Sequence, residues 1–394
     1  MKSITKNKLT MALCIITVLF LSTSSEVFAQ AIDNAALLYY QAFLLYEKPD
    51  GTMDKMLSDF RDGKIKANEI IEQHIEKNSR VVDLIVKAAD IQNCNWGYDY
   101  SQGLEMTMPN LAQLRQIAYL IQDEAKLFSE QGNYRMALDR SLSMHKMALH
   151  SANSALIGYL VAIVLSRQAN TSIQGILADM PEDLQTLDWF RNQLAEIDNR
   201  PSLLKDAINV ESNVLGTYMT KEKFNEFLCN KDLVAEASLL KIARERLHNA
   251  DEQFFIRNRD YWQNHFAAVK AALDMPYAQA FAELKRTEEK VKTDVTENPD
   301  ATGAAILAAP FARIYSQHIA AKTFSNAIKA ALEIYTIKAR SGRLPEKLPA
   351  GLPKDLFSDK DFEYEKTNKG FVIRCQGKEL NEGKINQYEF KVKD

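Results

Sequence analysis

Cysteine is nearly absent from this chain, with four in 394 residues, and only Cys94, Cys229 and Cys375 lie beyond the first thirty. Three thiols allow at most one internal disulfide, so a disulfide-stapled scaffold is excluded. Without a Cys-x-x-Cys-His motif there is no covalent c-type haem either. Histidine is equally thin. Of the six, His145 and His150 are the nearest pair. Five positions place them roughly 140° apart around a helix axis, whereas zinc ligands on one helix sit three or four apart. No His-Glu-x-x-His, Walker loop, dinucleotide glycine fingerprint or Gly-x-Ser-x-Gly elbow occurs, and neither a metal nor a cofactor is expected.

Excess charge of either sign is lacking too. Lys and Arg total 49 against 52 Asp and Glu, a formal net charge of −3. A nucleic-acid binder needs a basic face to release counterions from phosphate, and docking on an anionic membrane surface needs the same. Both partners are set aside. Long apolar runs are missing as well: Ala155 to Leu165 is flanked by Asn153 and Arg167 and is too short to span a bilayer. It reads as a buried helix.

The first thirty residues carry the other apolar run. Lys2, Lys6 and Lys8 precede Met11 to Leu21, which is free of charge, and Val27-Phe28-Ala29 offers a small-residue cleavage site. That is the grammar of a signal peptide over 1–29, the alternative being an uncleaved N-terminal anchor. Export to the periplasm or another extracytoplasmic compartment follows as an expectation. No integral span is expected in the mature chain.

From residue 30 to 340 apolar residues recur at helical spacing, as in Leu114, Ile117, Ile121, Ala125, Phe128 and in Leu184, Leu187, Phe190, Leu194, Ile197. Proline and glycine fall between such segments. Pro109, Gly132-Asn133, Pro181, Pro201, Pro276 and Pro299 mark boundaries, with Pro181 read as a first helical turn ahead of Glu182 and Asp183. Ala125, Gly132 and Ala137 have the spacing of a single tetratricopeptide-like hairpin, without a second copy at that period. Residues 341–394 change character. Gly342, Pro345, Pro349, Gly351 and Pro353 form a linker; Phe362 to Glu365, a turn at Asn368-Lys369-Gly370, and Phe371 to Cys375 predict a hairpin, with Tyr388 to Val392 as a third strand. The expected fold is mainly α, a bundle or short tetratricopeptide-like stack with a small C-terminal antiparallel β unit. Such a unit is stable only if it packs on the helices.

The segment from Asn93 to Gly103 is the densest in functional side chains. Trp96, Tyr98, Asp99 and Tyr100 could receive a sugar or a cationic ligand through aromatic faces and one carboxylate. Against this stands a loop that folds back, with Trp96 plugging a helical bundle and Cys94 as a small buried hydrophobe. Scattered acids leave open an envelope hydrolase with a carboxylate pair, which needs two acids facing each other at roughly 5–10 Å. The mixed runs at Arg244 to Arg246 and Lys285 to Lys290 read as exposed helix faces.

Cys94-Asn95-Trp96-Gly97-Tyr98-Asp99-Tyr100 with Gly103, then Met108-Pro109-Asn110-Leu111 and the hairpin through Gly132 and Ala137, resembles a family of exported bacterial helical proteins without an assigned activity. Gly342-Arg343-Leu344-Pro345-Glu346-Lys347-Leu348, Pro353-Lys354-Asp355-Leu356-Phe357 and the hairpin reaching Gly377 extend it. That tail is similar to the C-terminal β region of major pseudopilins of type II secretion. The resemblance does not bring a prepilin segment, and Glu379, Asn381 and Glu382 stand where some pseudopilins hold calcium, without the usual aspartate pair. It implies a non-enzymatic interaction or scaffold role at the cell envelope, with another envelope protein as partner. A place in a secretion assembly requires the β tail to be free to pair.

Overall fold

The computed structural model describes residues 32–198, 203–229, 237–248 and 250–392. The signal-peptide segment, Pro201 and the side chain of Cys229 lie outside the described residues. The chain is mainly α-helical and ends in a three-stranded antiparallel sheet.

Four short helices come first: α1 (Ala35–Leu45), α2 (Gly51–Arg61), α3 (Glu69–Lys77) and α4 (Ser79–Asp90). Three start where a short polar side chain closes an orphan backbone N–H: Asn34 accepts from Ala36, Asp50 from Met53 and Asn68 from Ile71. The 93–103 segment follows, with a 3₁₀ turn over Tyr100–Glu105. Then come α5 (Pro109–Glu130), α6 (Tyr134–Ala152) and α7 (Leu156–Asp179), joined by three-residue connections that make neighbours antiparallel. Ala125 and Ala137 are fully buried, and α5 packs against α6.

Beyond α7 lie α8 (Leu184–Asp198), α9 (Leu204–Gly216), α10 (Lys221–Cys229), α11 (Ala237–His248), α12 (Glu252–Ala272) and α13 (Tyr277–Glu297). A short α14 (Thr302–Leu307) and the long α15 (Phe311–Ser341) complete the helical part. One expected boundary shifts. Pro181 stays in the connection instead of a first helical turn, because Asp183 caps α8 by accepting from the Thr186 N–H at 3.1 Å. The hydroxyl of Thr186 donates to the same carboxylate at 2.6 Å.

Strands β1 (Glu363–Thr367), β2 (Gly370–Glu379) and β3 (Lys384–Lys391) pair in the order β1-β2-β3, both pairs antiparallel. The sheet shares one core with the helices. Phe371 and Phe390 stack at 5.1 Å on the buried face, and Tyr335 of α15 meets Phe371 edge-on at 5.4 Å. Tyr388 stacks on Phe324 of α15 at 4.7 Å. The Tyr335 hydroxyl donates to the Lys391 carbonyl at 2.5 Å, and the Gln174 amide of α7 to the Glu389 carbonyl at 2.7 Å.

Candidate functional site

The aromatic loop is built inward. Trp96 is 5% exposed; its ring stacks on Tyr39 at 5.3 Å and lies nearly parallel to Phe43, while its indole N–H donates to the His150 carbonyl at 2.9 Å. Tyr98, half-buried, exchanges hydrogen bonds with the amide of fully buried Asn110. Tyr100 meets Tyr98 edge-on at 6.1 Å. Asp99 is exposed, but its carboxylate is occupied, accepting from the Ser101 N–H and hydroxyl and from the Gln102 amide. Those bonds hold its pKa below the usual carboxylate range. Gly103, at φ 56°, lies so close to Tyr218 that an added Cβ would fall 2.2 Å from its ring. The structure therefore brings Tyr98 and Tyr100 together and sends Trp96 into the core and Asp99 to the surface. None of the four lines the cavities described below.

The loop also holds α1. The Ala35 N–H donates to the Asn93 carbonyl, Asn34 and Asn95 exchange two bonds, and the Tyr40 hydroxyl donates to the Trp96 carbonyl at 2.9 Å. Helix α1 carries no charged residue, AALLYYQAFLL, and buries Ala35, Ala36, Leu38, Tyr39 and Ala42. A helix apolar all round is expected to be covered all round. Here Leu37, Tyr40, Gln41, Leu44 and Leu45 recur at i, i+3, i+4, i+7 and i+8 on the outward face. Leu44 is 87% exposed, Leu37 and Leu45 each 52%. Scattered exposed leucines are ordinary; a contiguous uncharged stripe is an interaction surface by its chemistry.

Two buried acids, Asp123 and Glu124, are tied to arginines. Arg61 grips both oxygens of Asp123, at 3.0 and 2.8 Å, and rests on the Tyr119 ring at 4.6 Å. Glu124 is held by Arg140. Burial pushes both carboxyls up, and their arginines offset only part of that. Asp54 and Asp123 line one cavity of about 340 Å³ between α2, α3 and α5. In the tail, Glu379 is buried and turned onto its own hairpin, accepting from the Asn381 and Glu382 N–H groups and from the Ser316 hydroxyl. Among the described residues no three His, Cys, Asp or Glu side chains converge as a metal site requires. Cys94 and Cys375 are buried free thiols, and burial drives Cys94 up to about 12.

A cavity of about 390 Å³ opens between α6, α7, α8 and α15. Alanines 148, 152, 162 and 321 leave the space, and Ile163, Leu194, Ile197 and Leu203 give it an apolar wall. Two polar relays face it. His145 Nε2 and Asn170 Oδ1 are 3.1 Å apart, and the Asn170 amide donates to the Ser325 hydroxyl at 2.9 Å. The Tyr159 hydroxyl lies 2.6 Å from His318 Nδ1. Burial, reinforced by Lys322, lowers His318 to about 3, so the ring is neutral. Sequence inspection missed this site. Its only linear trace is His318, Lys322, Ser325 and Lys329, at i, i+4, i+7 and i+11 on one face of α15.

The tail motif has a structural explanation. Asp355 is fully buried; its carboxylate accepts from the N–H groups of Phe357 and Gly377 and from the Ser358 hydroxyl. The Gly377 N–H is thereby drawn away from β3, and the β2–β3 register shifts between Arg374 and Lys378. A Cβ on Gly377 would sit 2.5 Å from the Phe357 carbonyl carbon. Phe357 packs edge-on against Tyr277 of α13 at 5.0 Å. Compared with known proteins, no family model matches this chain, and no curated protein or solved structure is similar to it. No helix among the described residues is long and apolar enough to cross a membrane.

Proposed function

We propose that this is an exported, non-enzymatic interaction protein of the cell envelope, and that α1 presents the surface which engages another envelope protein. The observation that carries this reading is the uncharged outward face of α1, held in place by the Trp96 loop. Eleven helical residues make a stripe about 16 Å long, the footprint of one amphipathic partner helix. Export rests on residues 1–29, and the envelope role on the resemblance of the 93–137 and 342–377 segments to exported helical proteins.

A photo-cross-linking residue placed at Leu44, with Lys241 on an exposed helix face as the control position, tests the surface in native envelopes. A protein adduct at position 44 that is absent at 241 and lost in the L37E/L45E variant supports the reading. The double variant must keep its melting temperature, since exposed positions change stability by only about 0.5 kcal/mol. An adduct containing two copies of this chain replaces the envelope partner with self-association. No adduct at either position overturns the proposal. Intact mass of the recovered chain reports export separately: loss of residues 1–29 supports it, and a full-length mass means the segment is retained.

A further inference from the structure

We propose that the cavity between α2, α3 and α5 binds a neutral saccharide, its hydroxyls held by Tyr46, Asp54 and His74 and its ring lying against Tyr119. This inference does not depend on the outward face of α1. The observation that points to a ligand is His74. It is 9% exposed and lines the cavity, and among the described residues no hydrogen bond reaches its ring nitrogens. A buried polar group is ordinarily paired, so one turned to a space calls for a polar occupant. Burial lowers the pKa of this ring, and Lys77 adds to that against Glu47, so the neutral imidazole offers one donor and one acceptor. The Tyr46 hydroxyl and the Asp54 carboxylate line the same space, and neither has a hydrogen-bond partner among the described residues.

The charges of the wall decide against an ion. Lys48 and Arg61 stand with Asp50, Asp54 and Asp123; Arg61 is paired with Asp123, and Asp50 accepts the Met53 N–H as the cap of α2. An anion would meet Asp50 and Asp54, a cation Lys48 and Arg61, and neither finds a field of one sign. Hydroxyls, each a donor and an acceptor, can use neutral His74, the Tyr46 phenol and Asp54 together. Burial, ahead of Asp123, pushes Tyr46 up to about 12, so its proton stays available for donation. Exposed Tyr119 carries the Arg61 guanidinium at 4.6 Å, and the Asp123 pair holds that cation in place. An aromatic face is partly negative and suits the positively polarised C–H groups of a pyranose ring. The frame is also set in advance. Fully buried Asn78 accepts the Glu47 N–H at 3.0 Å and donates to the Glu47 carbonyl at 3.2 Å, pinning the connector that carries Tyr46 to the α3–α4 junction. A volume of about 340 Å³ lies at the small end of the range for small-molecule sites, which suits a mono- or disaccharide.

Titration calorimetry of the full chain with glucose, N-acetylglucosamine, maltose and cellobiose, and with glucosamine and glucuronate as charged counterparts, tests the site. At least one neutral sugar is expected to bind with a millimolar or lower dissociation constant, and both charged sugars at least fivefold more weakly. The Y46F/D54A variant removes two hydrogen-bonding groups from the wall and should weaken the best neutral sugar at least tenfold, while keeping a single cooperative melt. H74L removes both ring nitrogens and should weaken it likewise; because that position is buried, Y46F/D54A supplies the fold-neutral test. Affinity that survives both variants overturns the site. Glucosamine or glucuronate binding as tightly as the best neutral sugar overturns the choice of ligand. No binding of any neutral sugar at tens of millimolar overturns the proposal.

Discussion

Single side chains decide whether the 93–103 loop is a receptor or a strut, and Trp96 is the one that matters. Its ring lies between Tyr39, Tyr40 and Phe43, and its N–H is spent on a backbone carbonyl. Truncation to alanine should cost about 3–5 kcal/mol, read as a lower midpoint in urea unfolding. A loss under 1 kcal/mol would mean that the ring is not the anchor described. Two histidines predict the response to acid. Burial lowers His265 to about 4 and His318 to about 3, against an ordinary value of 6.5. The unfolded chain takes up these protons first as pH falls, so folded stability is lost from about pH 6.5 downward, until the folded rings also titrate. Each ring contributes at most about 1.4 kcal/mol per pH unit in that window. His265 packs against Trp262, Phe266 and Phe311, and its Nε2 is buried without a partner, so H265F is expected to flatten part of the slope. The raised carboxyls of Asp123 and Glu124 act in the opposite sense over the same range, so the test is the difference between H265F and the parent: a slope from pH 6.5 to 4.5 that H265F leaves unchanged would count against the neutral-ring assignment.

At the scale of elements, much of the fold is legible in the sequence because helix ends are chemical events. Pro109 opens α5, Gly132-Asn133 parts α5 from α6, Pro276 stands just before α13, and the hairpin turns where Asn368-Lys369 stands between alternating runs. The apolar run from Ala155 places the start of α7, but not what caps it. Ala155 offers no side-chain cap there, and the acceptor comes from another helix: the Glu211 carboxylate of α9 takes the Leu156 N–H at 3.2 Å. E211A should destabilise by about 1 kcal/mol, while E211Q, which keeps an acceptor, should retain most of that. Equal effects of the two changes would point to packing as the role of the side chain. The cavity on α15 was hidden for a related reason. Its walls come from four helices far apart in sequence, and the alanines that leave it open look locally like ordinary helix formers. Seen alone, His145 and His318 read as core histidines; only their partners Asn170 and Tyr159 show which faces they turn to the space.

For the whole molecule, the question is whether the β tail belongs to the helical body or only hangs from it. Its contacts argue for the first. Phe371, Ile373 and Phe390 are buried in the same core as α15, and the Asp355 latch fastens the 353–360 segment to β2 before Phe357 reaches Tyr277. Burying one such side chain contributes about 2 kcal/mol, and several together rival the 5–15 kcal/mol that holds a domain folded. The latch can be tested in the full chain without deleting anything. G377A places a methyl group against the Phe357 backbone, which the latch holds in place, so it should destabilise the whole protein in a single cooperative transition. Far-ultraviolet dichroism, reporting helix, and the near-ultraviolet signal of the tail's tyrosines should then shift together. Ending the chain at Ser341 uncovers Phe324 and Tyr335, and should produce a species that binds a hydrophobic dye and aggregates. If instead G377A melts the tail alone and leaves the helical signal at its original midpoint, the β unit is a separable module. Its strands would then be free to pair with another chain, as the pseudopilin-like reading of the tail requires.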